Sequence, residues 1–379
     1  MPAFDVVVIG LGAMGSAAVY HLARRGKRVI GIDRFEPGHA FGSSHGATRI
    51  IRLGYFEHPS YVPLLRRAYA LWRDLEAACG QPLLRVTGIA EIGPPDGTLI
   101  TGTLAAARLH ALPHTVLAAS DLMRRLPFRI PADYLAVLQP DGGILSPEPA
   151  ILAHLSLARA AGAELRTRDN VRIVAPWAGG VRISTDRGDL DAGAAIVAAG
   201  PWMKKLLPDL HAPLRVTRQV MAWFEPLEAA LFTPDRFPVF LLESPHGVHY
   251  GFPLDATGVK VAKHHHADET VDPDTCDPQI SSADEVIIRS SLAEYLPAAN
   301  GRSRLPRPAS IRWRPTATSS SIPWARSSLR RRAPVTASSS RRWSEKSLPI
   351  SSPPEPPATT SRASGSIASD RHERGTSAR

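Results

Sequence analysis

Cysteine is almost missing from this chain. Cys79 and Cys276 are the only two in 379 residues, too few for a disulfide framework and wrongly spaced for a Cys-x-x-Cys metal site. No apolar run approaches the roughly 20 residues that a membrane helix needs. The first strand-like run begins by residue 6, which leaves no room for a cleaved leader. These absences predict a reducing, cytoplasmic setting and no membrane partner. Nor is there a basic stripe with interleaved aromatics. The net charge of +10 invites a nucleic-acid reading, but it is unevenly spread. Residues 301–379 hold 16 Lys and Arg against 4 Asp and Glu, while the first 300 hold 29 against 31. The globular part is near neutral, so no nucleic-acid partner is expected.

What the chain does have comes at its start. Val6-Val7-Val8-Ile9 is a run of β-branched residues and predicts a buried strand. Gly10, Gly12 and Gly15 follow as G-x-G-x-x-G. That spacing allows a tight turn, close backbone approach to a pyrophosphate and close packing of a helix on the strand. The helix should begin near Ala13 and turn Met14, Ala17, Ala18, His21 and Leu22 inward. Its N-terminal N–H groups and dipole would face the phosphates. A second strand, Arg28 to Ile32, ends in Asp33, placed where a ribose-binding acid should fall. The residues alone leave NAD and FAD both open.

Further along, Ser60 and Pro63 suit a helix start and Gly80 its end. Between them Leu64, Leu65, Ala68, Leu71, Trp72 and Leu75 form one apolar face. Short strands are expected at Thr87–Ile92 and Ala136–Leu138, and a helix from Pro149 to Ala161. Ala194–Ala199 reads as another buried strand. It ends at Gly200-Pro201-Trp202, a second place where backbone can approach a dinucleotide, with a helix to Leu207. From Arg215 to His264 the pattern is mostly strand, including one long run, Val216–Phe224. Past Asn300 the periodicity stops, and Ser, Arg and Pro dominate.

The loop after the second strand sharpens the picture. Gly42-Ser43-Ser44-His45-Gly46-Ala47-Thr48-Arg49-Ile50-Ile51-Arg52, then Tyr61-Val62-Pro63-Leu64, resembles the monomeric sarcosine oxidase and N-methyltryptophan oxidase family. Tyr250-Gly251-Phe252-Pro253, Lys260 and His264 do so as well, in family order, and the resemblance covers about residues 4–300. It implies an α/β fold: a Rossmann-type FAD-binding domain (1–85 and 145–212) and a mainly antiparallel-sheet substrate domain (86–144 and 213–300). It implies a monomer that oxidises an N-methyl amino acid and passes electrons to O₂. FAD would touch Gly10, Gly12, Gly15, Asp33, Ser44, His45, Arg49, Val171 and Gly200. Arg52 would grip the substrate carboxylate by charge-assisted hydrogen bonds, with Tyr250 adding a hydroxyl and His264 orienting the amine. Arg49, Lys260 and His264 would be the catalytic set. From its strand pattern alone Lys260 reads as a surface lysine; the resemblance turns it toward the flavin, where its charge would favour electron transfer to O₂. His264-His265-His266 is not expected to bind metal, because adjacent strand residues face opposite ways. The family's Gly-Asp-Thr-Arg acid is Ala47 here.

The tail departs from the family. The cysteine that carries the flavin covalently and the lysine of a Ser-Gly-His-Gly-Phe-Lys-Phe segment are both absent. Joining the third base of each codon to the first two of the next permits family-like runs. Pro308–Ile322 permits Cys-Ile-Tyr-Thr-Met-Ala-Pro-Asp-Gly-Asp-Phe-Ile-Ile-Asp, Ala333–Ser340 permits that Ser-Gly-His segment, and Ala358–Gly365 a third run. The sequence therefore predicts a reading-frame slip just after Gly301 and an aberrant basic tail over 301–379. Two alternatives stand beside the oxidase: an impaired product of such a gene, and an NAD-dependent dehydrogenase.

Overall fold

The computed structural model describes residues 2–212, 214–304 and 310–315, all within the unit Met1–Ile322. The expected opening is present. β1 (Phe4–Ile9) enters the glycine turn, α1 (Ala13–Ala23) follows, and β2 (Val29–Ile32) lies parallel to β1. A Cβ on Gly15 would sit 1.7 Å from the Gly10 carbonyl oxygen, and one on Gly10 would sit 2.4 Å from that of Ala198. Only bare backbone lets helix and strands come this close. The inward face of α1 corrects the sequence reading. Gly15, Ser16, Val19, Tyr20 and Ala23 are buried, while Met14 is 72% exposed. Tight packing on the strand selects the small residues, and hydrophobicity alone pointed one position around the helix.

The chain continues through β3 (Arg49–Ile51) and α2 (Tyr61–Cys79), which stops at left-handed Gly80. The expected apolar face of α2 is only partly buried: Leu75 and the unforeseen Val62 are covered, whereas Leu64 is exposed. Next come β4 (Leu84–Val86), β5 (Ile89–Gly93), α3 (Thr98–His110), β6 (Thr115–Ala118), α4 (Ala119–Arg125), β7 (Leu135–Gln139) and β8 (Gly143–Leu145). Helix α5 (Pro147–Ala160) packs on α1, its first turn set by Pro147 rather than Pro149. Four strands follow: β9 (Glu164–Arg166), β10 (Val171–Trp177), β11 (Gly180–Thr185) and β12 (Gly188–Val197). They complete a six-stranded sheet in the order β10-β11-β12-β1-β2-β9. β12, β1, β2 and β9 are parallel. The helix expected to reach Leu207 is a 3₁₀ turn at Gly200–Trp202 and a short α6 (Met203–Leu206).

The single strand expected over Val216–Phe224 breaks at Val220 into β13 (Leu214–Gln219) and β14 (Met221–Phe224). Then come β15 (Val239–Ser244), β16 (Gly247–Asp255), β17 (Gly258–Lys263), α7 (Ser282–Tyr295), β18 (Ser303–Arg304) and β19 (Ser310–Pro315). An eight-stranded sheet runs β18-β14-β17-β16-β15-β5-β7-β6, with only β5 and β15 parallel among its pairs. Its two faces differ. Ala90, Ile92, Phe240, Leu242, Val259, Val261 and Phe224 join residues of α4 and α7 in the largest core. Across the opposite face Glu91 pairs with Leu241, Leu241 with Tyr250, and Tyr250 with Ala262. Paired strand residues share a face, so Glu91 and Tyr250 project together. Lys260 and Phe252, two residues along their strands, join them.

The tail also requires a correction. No strand was expected past residue 300, yet β18 pairs with β14, and β19 pairs antiparallel with β13 from Gln219↔Ser310 to Leu214↔Pro315. Ser310-Ile311-Arg312-Trp313-Arg314-Pro315 alternates polar and apolar residues, a period-two strand pattern that the Ser-, Arg- and Pro-rich composition around it hid. The remaining tail, with Trp324, Trp343 and most of the alternative-frame runs, lies outside the described residues.

Candidate active site

A cavity of about 620 Å³ opens where β1 and β12 end and α1 begins. Gly10, Gly12, Asp33, Ser44, His45, Arg49, Val171 and Gly200 all line it. Gly15 lies against Gly10, beneath the turn. Asp33 is buried, and its carboxylate accepts from the Leu11 N–H at 2.6 Å and the Phe35 N–H at 2.8 Å. It ties the end of β2 to the glycine turn while remaining in the cavity wall. Gly12 gives α1 no side-chain cap, so the amides of the first turn are disposed to hold an anion. The side-chain-free turn, the helix end and the acid fit the ADP half of a dinucleotide.

The loop over residues 43–48 is clamped from three sides. Arg49 donates to the carbonyls of Ser43 (2.7 Å), His45 (2.6 Å) and Thr48 (2.8 Å). Lys260 donates to the Gly46 carbonyl at 2.8 Å, the Thr48 carbonyl at 2.9 Å and the Thr48 hydroxyl at 3.0 Å. Glu148, in the first turn of α5, accepts from the Gly46 N–H at 2.7 Å and the Ala47 N–H at 3.1 Å. Ala47 is held in the left-handed region, φ 64, a strain that this set of bonds sustains. Lys260 is 1% exposed, with its ammonium 4.5 Å from the Phe252 ring centroid. The surface-lysine reading from pattern fails because both faces of β17 are covered.

Arg52 is buried beside β5. Its Nη2 meets Glu57 Oε2 at 3.1 Å, its Nε is 3.4 Å from Glu91 Oε1, and its guanidinium lies 4.2 Å from the Tyr55 ring centroid. Burial pushes the Glu91 carboxyl up to about 7, against the opposing pull of Arg52, Thr103 and Gln139. Tyr250 is half-buried near Phe252, ring centroids 6.3 Å apart. Gathered on the sheet face are therefore Lys260, Tyr250 and, through Glu91, Arg52. His264 is set apart: it lies just past β17, exposed, with its ring 4.1 Å from that of His265. His266 turns the other way and hydrogen-bonds Asp284 at 2.8 Å.

Sequence reading missed Glu91, Gln139 and Glu148. Glu91 did leave a trace, as a charge between Ala90 and Ile92 in an otherwise apolar strand. Glu148 looked like an ordinary acid at a helix start.

Comparison with known proteins agrees with this geometry. The FAD-dependent oxidoreductase (DAO) family model matches residues 5–336. Monomeric sarcosine oxidase of Streptomyces avermitilis is 42% identical over 69% of this chain and 70% of its own. That of Bacillus sp. strain B-0618 is 37% identical over 79% and 78%. N-methyl-L-tryptophan oxidase of Salmonella enteritidis is 37% identical over 69% and 70%. Among solved structures, NikD, an amino acid oxidase essential for nikkomycin biosynthesis, superposes with a TM-score of 0.71 at 29% identity over 84% of each chain. Among the described residues no helix is long and apolar enough to cross a membrane. The dinucleotide is accordingly FAD, and the chain belongs to the FAD-dependent oxidoreductase family, among the monomeric sarcosine and N-methyltryptophan oxidases.

Proposed function

We propose that this chain is an FAD-dependent amine oxidase of N-methyl amino acids, acting on sarcosine or N-methyl-L-tryptophan. The observation that carries the reading is Arg52: a buried cation beside the sheet face of Tyr250 and Lys260, next to a cavity with an FAD-type glycine turn. The relatives' names support the substrate class. When bound, FAD would supply the acceptor for a hydride from the N-methyl carbon and the route of its electrons to O₂ as H₂O₂, and water would hydrolyse the released imine to formaldehyde and the demethylated amine. The chain's own residues bind and orient. Gly10, Gly12, Gly15 and Asp33 would hold the ADP half, with Val171 and Gly200 beside it, and Ser44, His45 and Arg49 would contact the flavin half. Arg52 would pair with the substrate carboxylate and Tyr250 would donate its hydroxyl to it. His264 would reach the amine from the strand end, and Lys260 would present its charge to O₂. We further propose the discontinuous FAD and substrate domains given above, a monomer, as the relatives' names support, and a cytoplasmic setting, in keeping with two free cysteines.

A second reading is favoured by the tail. Without the family's attachment cysteine the flavin would be held noncovalently, and loss of the frame after Gly301 would impair turnover. Anaerobic mixing of the purified yellow protein with each substrate tests the proposal. Bleaching of the visible flavin band supports it. A flavin-loaded protein that neither substrate bleaches, or a colourless and insoluble one, removes the oxidase reading and supports the impaired or non-functional product.

A further inference from the structure

Glu91 has no part in the reaction as described so far. It is fully buried in the middle of β5. Gln139 Nε2 donates to its Oε2 at 2.6 Å, and Gln139 Oε1 in turn accepts from the Gly54 N–H at 3.1 Å. Arg52 therefore serves two carboxylates, Glu91 at its Nε and Glu57 at its Nη2. A substrate carboxylate would be a third. Three anions around one cation in a buried site cannot all stay ionised. Glu57, its side chain 40% exposed, can be solvated; Glu91 cannot.

The groups around Glu91 point to it as the acid that responds. From the β3–α2 segment it faces Arg52, Glu57 and, over Arg52, Tyr55. From β7 come Gln139 and Val137, from β15 Leu241, and from α3 the Thr103 hydroxyl. Arg52 is the only cation in that set. Burial has already brought Glu91 to about 7, so an added negative charge at Arg52 will carry it across neutrality. The neutral acid would keep its bond from Gln139, and the pocket need not rearrange.

We propose that Glu91 is a positioning residue that couples substrate capture to a proton: a substrate carboxylate engages Arg52 as Glu91 takes up one proton from solvent. This rests on the reading of Arg52 as the carboxylate-binding residue.

The test uses methoxyacetate, which has the outline of sarcosine with an ether oxygen in place of the amine and so does not titrate or react there. Its binding to the full-length holoprotein is measured by calorimetry from pH 6 to 9, in buffers of different ionisation heat. The wild type should lose affinity about tenfold per unit above pH 7, with close to one proton taken up per ligand at pH 8. Glu91→Gln should be flat over the range and bind about 100-fold more tightly than the wild type at pH 9. Gln139→Leu, which removes a donor from the carboxylate, should move the fall in affinity to higher pH, and serves if Glu91→Gln does not fold. Parallel profiles for wild type and variants, or binding without proton uptake, overturn the coupling alone. Binding that survives Arg52→Met, or no binding by any of these proteins, overturns the reading of Arg52 and the coupling with it.

Discussion

The Lys260 ammonium is enclosed by oxygens of Gly46 and Thr48, 212 to 214 residues away in sequence. Replacing it has two separable consequences. Lys260→Met takes the ammonium away from the Gly46 and Thr48 carbonyls, which keep only the Thr48 N–H and Arg49 as donors, and one lost charge-assisted bond costs about 1.5–3 kcal/mol; denaturant unfolding should show that loss. The second is chemical. A cation about 4 Å from charge developing on O₂ is worth roughly 4 kcal/mol at an effective dielectric of about 20, about a thousandfold in rate. Stopped-flow traces should show flavin reoxidation slowed far more than reduction; equal slowing would assign Lys260 to the loop alone. At this scale the legible residues were those whose meaning is local. Gly10, Gly12, Gly15 and Asp33 announce themselves within 33 residues because backbone geometry dictates them. Glu148 gains its meaning from an amide 102 positions away, and Glu91 from Arg52, just past β3, so neither role has a local signature.

Helix α1 shows what a single methyl group would do to an element. Gly15→Ala places a Cβ 1.7 Å from the Gly10 carbonyl oxygen. The helix must then lift off β1, widening the turn that should hold the pyrophosphate. Overpacking of this kind costs about 1–3 kcal/mol, so the variant should be less stable and emerge from purification with little flavin, measured by its absorbance ratio to protein. Helix α5 carries a pH dependence. His154 is buried against Tyr20 and Trp72, ring centroids 5.3 and 5.6 Å away, and burial holds it down at about 4. His249 in β16 is likewise held at about 4. A histidine depressed in the fold binds its proton more readily when unfolded. Its stabilisation is full above about 6.5 and is lost as pH falls toward 4. Each should forfeit about 2 kcal/mol between pH 7 and 5, and His154→Phe should flatten its share of the decline in melting temperature. The strands and most helices were readable from periodicity, but their assembly was not. β5 and β15 meet from separate inserts, and β19 pairs with β13, more than 90 positions earlier in the chain.

For the whole molecule the decisive question is how the two ends of one cofactor are held. The ADP half, as proposed, would sit on residues 6–33, all of which the structure describes. The flavin half would fall to the loop at 43–49 and, as the resemblance implies for the family, to a cysteine after the Asn-Gly that corresponds to Asn300-Gly301. Here Cys79 closes α2 and Cys276 lies in the segment before α7, and neither follows Gly301. The family-like runs across 308–322, 333–340 and 358–365 are permitted in one alternative frame, and a single missing or extra base would account for all three. The chain as it stands should therefore hold FAD without a covalent bond, and acid precipitation should release the flavin into the supernatant. Restoring the frame just after Gly301 should keep the colour in the pellet, through the cysteine that this frame permits across Pro308 and Ala309. The same change should raise oxidation of sarcosine or N-methyltryptophan above that of the present chain, because it returns the lysine of the Ser-Gly-His-Gly-Phe-Lys-Phe segment to the substrate carboxylate. Flavin that stays with the precipitate of the present chain, or a restored frame that gains neither attachment nor activity, would sink the frame hypothesis and leave the tail as this protein's own.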